Sequence, residues 1–232
     1  MLRTKKREYV VVSVGGSLIV PDQIDTEFLS KFRSLILRKI DEGISFYIVT
    51  GGGKLARRYQ DAASATRGEL TREDIDWLGI HSTRLNAHLF RALFKEHAQP
   101  KLVKNPTKHV TGRYPVIVGA GWRPGNSTDL CAVETARKLG AKKMVNLSNI
   151  DYVYDKDPRT NADAKKIERI GWKEFRSLIP EEWDPGLSAP FDPIAAREAQ
   201  SMGLEVAVMN GHSLDEFEKY LDQKDFVGTV IA

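Results

Sequence analysis

The chain has a single cysteine, Cys131, among 232 residues. One thiol excludes an intrachain disulfide framework and a cysteine-built metal cluster. No apolar run approaches the ~18 residues that a membrane helix needs. Neither sign of charge dominates: 35 basic and 31 acidic residues leave +4. That balance suits a small anionic ligand and does not demand nucleic acid. Histidines are few, five in all. His81 and His88 could share a helix face, but surface or interface positions describe them better than metal ligation. Several loop signatures are missing as well. There is no G-x-x-x-x-G-K-[ST] phosphate loop and no G-x-S-x-G nucleophile turn. "VGAGWRPG" (118–125) is spaced G-x-G-x-x-x-G, and the strand after it ends "NLSN", without an acid for a dinucleotide's ribose.

The first twenty residues, "MLRTKKREYVVVSVGGSLIV", have a basic start and an apolar run, as a secretion signal does. They lack a small-x-small cleavage site, and tandem glycines interrupt the run. A buried first strand is the better reading. The expected compartment is the cytoplasm, so Asn126-Ser127-Thr128 is not expected to act as a glycosylation acceptor.

What is present is an alternation of strands, glycine turns and helices. The length suits one large α/β domain or two lobes sharing a sheet. β-Branched content makes Tyr9–Val14 a strand. Phe28, Leu29, Phe32, Leu35, Ile36 and Ile40 carry a helical spacing over 25–41, with Asp25 as N-cap. Strand 44–50 runs into Gly51-Gly52-Gly53, and a helix follows over 54–65. Thr71 and Asp74 form a capping-box pattern before a helix reaching about His97. Strand 115–121 ends in glycines, helix 128–140 stops at Gly140, and strand 142–148 follows. A polar, turn-rich stretch begins at Asp151. Beyond it are a helix over 191–203, a strand over 204–210, a short helix near 214–221 and a closing strand at 228–231. This pattern predicts a mostly parallel sheet with helices on its faces and ligands outside the carboxyl ends of the strands.

Three glycine loops fall at those ends. A lone glycine loop is often only a tight turn, but three together point to phosphate. "TGGGKLARRY" (50–59) sets three glycines before a helix whose first turns carry Lys54, Arg57 and Arg58. Free amides with a nearby arginine make a good anion site. In the third loop Asn126, Ser127 and Thr128 offer donors ahead of Asp129, and Ser127 or Thr128 could also cap the helix. Two phosphate-friendly loops imply a phosphoryl donor and its acceptor. Such transfer asks a protein mainly for positioning and charge neutralisation.

"VGGSL", "GGGKLARRY", "DWLGIHSTRLNA", "RPGNSTD", "SNIDYVYDKDP" and "FDPIAAREA" occur in this order. On these motifs the chain resembles the amino-acid kinase superfamily, and within it the uridylate (UMP) kinases of the archaeal-type branch, from Tyr9 to Ile231. The resemblance implies a three-layer αβα sandwich with a mostly parallel central sheet. It implies a single domain spanning 1–232, with an acceptor-binding half over about 1–140 and an ATP-binding half over about 141–232. It implies transfer of the γ-phosphoryl of ATP to UMP in pyrimidine nucleotide synthesis, with Mg²⁺ carried on the ATP phosphates.

Gly15, Gly16 and Ser17 would then lie on ATP phosphates, with Gly52, Gly53 and Arg57 where donor and acceptor meet. Asp76 would hold the acceptor ribose. Gly121, Trp122, Arg123, Pro124, Gly125, Asn126, Ser127 and Thr128 would surround the monophosphate. Asp129 would organise nearby cationic groups at the centre; Gly16, Arg57 and Asp129 form the expected catalytic set. Ser148, Asn149, Tyr154 and Asp157 would line the ATP nucleoside site. Many superfamily members carry a lysine in the first loop; here Ser13 and Val14 stand there, and the archaeal-type branch similarly lacks the lysine. The missing charge would come from Mg²⁺, Arg57 and Lys54 or Lys156.

The resemblance also implies small-molecule nucleotide partners and a hexamer built from dimers. Tyr152 replaces the glycine usual in "N-x-D-G-V-Y", so either the loop turns differently or the phenol lies by the nucleoside pocket. Trp122-Arg123 makes the third loop bulkier than usual. Related kinases of isoprenoid or acyl phosphates, and oxyanion storage proteins such as the molybdenum storage proteins, are the competing readings.

Overall fold

The computed structural model describes residues 7–110, 112–182 and 189–232. Its layering follows from strands that are apolar on both sides. In β1 (Tyr9–Val14) Val11 packs on one face of the sheet, Val12 and Val14 on the other. In β2 (Ser45–Thr50) Tyr47 and Val49 share the first side, Phe46 and Ile48 the second. A sheet of such strands has to be covered twice. The first face is covered by α5 (Thr128–Leu139), α6 (Trp172–Ser177) and α7 (Pro193–Ser201). The second is covered by α1 (Gly16–Ile19), α2 (Thr26–Asp41), α4 (Arg72–Leu93) and α8 (Leu214–Leu221). Helix α3 (Gly53–Arg67) buries no residue fully and lies against α4. The result is the expected αβα sandwich.

With β3 (Val116–Gly119), β4 (Lys143–Ser148), β7 (Arg169–Ile170), β8 (Glu205–Asn210) and β9 (Thr229–Ile231), the sheet runs β3-β2-β1-β4-β8-β9-β7. The first five strands are parallel; β9 runs antiparallel to β8, and β7 parallel to β9. The chain steps outward from β1 to β2 to β3, then returns to the other side of β1 for β4. Connections therefore leave β1 and β4 in opposite directions, and a crevice opens at their carboxyl ends.

Local signals place the helices. The Asp25 carboxylate accepts from the Phe28 amide at 2.8 Å. Thr71 and Asp74 form a reciprocal capping box. Gly140, in the left-handed region at φ 72°, ends α5. Among the elements shorter than expected are α4 and β3. Helix α4 stops at Leu93, because the chain turns to run beside β3, where the Gln99 amide donates to the Val116 carbonyl. Strand β3 stops at Gly119, because Gly121 is drawn to α4 by the Thr83 hydroxyl. The turn-rich stretch after Asp151 contains a small hairpin, β5 (Val153–Tyr154) with β6 (Lys166–Ile167). Among the described residues no helix is long and apolar enough to cross a membrane.

Phe32 on α2 ties the second face together. It is 1 % exposed and meets Phe28, Phe90, Phe94 and Phe217, so it joins α2 to α4, its C-cap and α8. Phe32→Ala is expected to cost about 3–5 kcal/mol in urea unfolding, the usual range for an emptied aromatic site.

Candidate functional site

A cleft of about 340 Å³ lies at the carboxyl ends of β1, β2, β3 and β4. Its first wall is made by two glycine loops pressed together. A Cβ built on Gly16 would stand 1.9 Å from the Gly53 nitrogen; one on Gly53 would stand 2.1 Å from the Gly16 oxygen. Gly53 also holds φ at 63°, which a side chain would strain. The loops thus need glycine for their packing on each other. Among the described residues no backbone carbonyl accepts from the amides of Gly16, Ser17, Gly52 or Gly53.

The cationic side of the cleft is narrower than the sequence implies. Arg57 lines it and makes no ion pair or hydrogen bond among the described residues. Arg58 is held by Asp22 at 2.8 Å, and Lys54 lies 3.7 Å from the same carboxylate. Lys156 pairs with Asp163 at 2.6 Å. Neither Lys54 nor Lys156 lines the cleft.

The floor is acidic. Asp129, half-buried, accepts from the Ser13 hydroxyl at 3.1 Å and from the Asp192 amide at 3.3 Å. No cation pairs with it among the described residues; hydroxyl, amide and a second carboxylate surround it instead. Asp192 caps α7 through the Ala195 amide, and its other carboxylate oxygen is buried without a hydrogen-bond partner. Burial and the neighbouring Asp192 push the Asp129 carboxyl up to about 7, and burial raises Asp192 also.

Helix α4 builds the remaining wall. Asp76, Gly79, Ile80 and Thr83 line the cleft at helical spacing. Asp76 accepts from the Gly125 amide at 2.7 Å, and Thr83 from the Gly121 amide at 2.8 Å. Asn86 donates to the Gly51 carbonyl at 2.8 Å. One helix thereby holds both the second and the third glycine loop.

Of the residues singled out in the sequence, the cleft gathers Gly15, Gly16, Ser17, Gly52, Gly53 and Arg57 on one side. Asp76, Gly121, Asn126, Ser127, Thr128, Asp129 and Ser148 also line it. Others do not. The Trp122 ring packs against the first-face core, with the Arg123 guanidinium 4.1 Å above it. Gly125 is tied to Asp76 by its amide, and Pro124 lies between them outside the lining. Asn149 is exposed past the end of β4, Tyr154 is paired in the hairpin, and Asp157 is held by Arg159 at 2.8 Å. The Lys166 ammonium sits 4.8 Å over the Tyr152 ring. Tyr152 does not line the cleft, and its φ is not positive; the loop turns without the conformation that favours glycine.

The structure adds residues that motif reading passed over. Gln60, Gly79, Ile80 and Thr83 could have been found by helical spacing from Arg57 and Asp76. Asn146, 5 % exposed between the buried Val145 and Leu147, was a visible signal. Asp192 stood unremarked within "FDPIAAREA".

Because the folded state favours protonated Asp129, it holds more protons than the unfolded chain between about pH 4, the ordinary carboxylate value, and about 7. Stability contributed by this group falls as pH rises through that window and levels off above it. Asp129→Asn is expected to remove the fall. In thermal melts across the window, the variant's Tm should gain on wild type up to about 7 and keep a constant advantage beyond.

The model of the amino acid kinase family matches residues 8–210. The uridylate kinase of Methanocorpusculum labreanum is 33% identical over 228 residues, covering 96% of this chain and 95% of the relative. That of Pyrococcus abyssi is 36% identical over 204 residues, covering 86% and 89%. The crystal structure of uridylate kinase from Archaeoglobus fulgidus superposes with a TM-score of 0.81 at 27% identity, covering 97% of this chain and all of the other. With the family's model spanning most of its length and relatives matched nearly end to end, the chain belongs to the amino acid kinase family.

Proposed function

We propose that the protein transfers the γ-phosphoryl group of ATP to UMP, giving ADP and UDP. The observation that carries this reading is the meeting of the two glycine loops beside an unpaired Arg57, with Asp76 on one side and Ser148 on the other. Relatives named uridylate kinase that match almost the whole chain support the choice of acceptor.

In this reading the acceptor half is about 1–140 and the donor half about 141–232. Asp76 takes the ribose hydroxyls of UMP. Asn126, Ser127 and Thr128 face its phosphate. The amides of Gly16, Ser17, Gly52 and Gly53 receive the ATP phosphates. Arg57 stands where charge builds on the transferred group, and a preplaced cation there lowers the barrier without reorganisation. Mg²⁺, when bound, would supply neutralisation of phosphate charge while keeping most of its water. The residues present fit that role. The Asp129 carboxyl and the unpartnered Asp192 oxygen would offer hard oxygen donors at the floor. Ser148 marks the donor's nucleoside side; Asn149, Tyr154 and Asp157 lie beyond the cleft lining and would need the nucleotide to extend to them. The cytoplasm is the compartment this reaction implies.

A coupled ADP-release assay over a panel of monophosphates tests the reading. UMP should be the preferred acceptor, and Arg57→Ala should lower turnover by ~10²-fold or more. A protein that leaves UMP untouched and phosphorylates another acceptor would end it.

We also infer self-association through the outer face of α3 and α4. Tyr59, Trp77 and Leu85 are exposed there, around an apolar groove. Exposed aromatic and leucine side chains grouped in this way mark contact surfaces. Light scattering should give a mass above 26.1 kDa, and Leu85→Glu should shift the protein toward that monomer mass.

A further inference from the structure

Arg84 lies on α4, two turns beyond Asp76 and outside the cleft lining. Its guanidinium sits behind the third loop. Nη2 donates to the Trp122 carbonyl at 2.8 Å and Nε to the Gly121 carbonyl at 3.3 Å. The Trp77 ring centre is 5.8 Å from the guanidinium carbon. Among the described residues no carboxylate pairs with Arg84, and burial pulls its pKa down. A cation leaving water ordinarily takes a carboxylate with it. Here two carbonyls and an aromatic face stand in, all supplied by the loop or by α4 itself.

The consequence is geometric. A peptide unit is planar and trans, so carbonyls turned toward Arg84 turn the following amides away from it. Two donors of one rigid fork thus set two successive peptide planes, which a lysine's single ammonium cannot do in the same way. The loop has two other fastenings to α4, at Thr83 and at Asp76. The second involves the carboxylate that the acceptor's ribose is read to engage. Arg84 holds the loop independently of that ligand.

We propose that Arg84 is a positioning residue for the acceptor: from behind the loop it fixes the peptide planes at 121–123 and so the placement of Asn126, Ser127 and Thr128 at the cleft. This rests on the reading of UMP as acceptor. The donor side has no contact with Arg84, so the effect belongs to one substrate. Loss of the fork leaves the loop attached at Thr83 and Asp76 but free to reorient between them.

The test is calorimetric titration of UMP and of a non-hydrolysable ATP analogue into wild type, Arg84→Gln and Arg84→Lys, alongside KM for both substrates. Arg84→Gln should weaken UMP binding by ~10-fold or more, the size expected for lost charged hydrogen bonds. Arg84→Lys should recover part of that loss. Affinity for the ATP analogue should stay within about twofold in both variants, since no contact reaches its side. Equal weakening of both nucleotides would make Arg84 merely structural and overturn the proposal, as would unchanged UMP affinity. Should the Gln variant not fold, the Lys variant decides by the same split between the two nucleotides. Wild type that fails to bind UMP defeats both the reaction and the proposal. Wild type that binds UMP as well as Arg84→Gln does leaves the reaction standing and removes Arg84's role.

Discussion

Two backbones meet where β1 and β2 end, and nothing larger than hydrogen fits between them. The Gly16–Gly53 contact is where the cleft begins. Parallel strands β1 and β2 bring the loops to the same height, since Val14 pairs with Thr50 one or two residues before each loop starts. Any side chain at the contact would push the loops apart, and with them the amides of Gly16 and Gly53. The absence of side chains therefore lets the two loops close on each other at this point.

The cleft's charge is arranged unevenly. Among the described residues Arg57 is the one basic side chain lining the cleft, while the carboxyls of Asp129 and Asp192 lie at its floor and the Ser13 hydroxyl donates to Asp129. A lysine in the first loop would have offset them. Without it, burial raises both carboxyl pKa values, and the neighbouring Asp192 raises Asp129 further. The polar face of α4 organises the rest. Asp76, Thr83 and Asn86 reach loops that leave two different strands, so both loops are referenced to a single rigid rod.

Much of this was legible in the residues themselves. Asp25, the Thr71–Asp74 pair and Gly140 mark helix ends by local chemistry, which needs no knowledge of the rest of the fold. Tandem glycines announced phosphate-sized loops, and the cleft draws those loops together. What was not legible depends on distant partners. That Gly16 must touch Gly53 is a tertiary fact, invisible in either loop. Asp192 matters because it falls beside Asp129, 63 residues away. Lys54 and Arg57 look equivalent in "GGGKLARRY", yet Asp22 lies near the one and not the other. Trp122 sits in the third loop by sequence, but its ring follows the first-face core rather than the cleft.

The sheet's two borders have a consequence for how copies of the protein can meet. On one side β3 is screened by the returning chain, where Ala98 bridges to Val116 and Val103 to Gly119. On the other, β7 is two residues long and carries Arg169. Neither margin offers a long, flat ladder of free amides and carbonyls. Strand-to-strand annealing between molecules is thus disfavoured, and a seven-stranded sheet this apolar stays finite. Contact between copies is left to helical surfaces, whose side chains can be tuned for partner and orientation in a way that exposed backbone cannot.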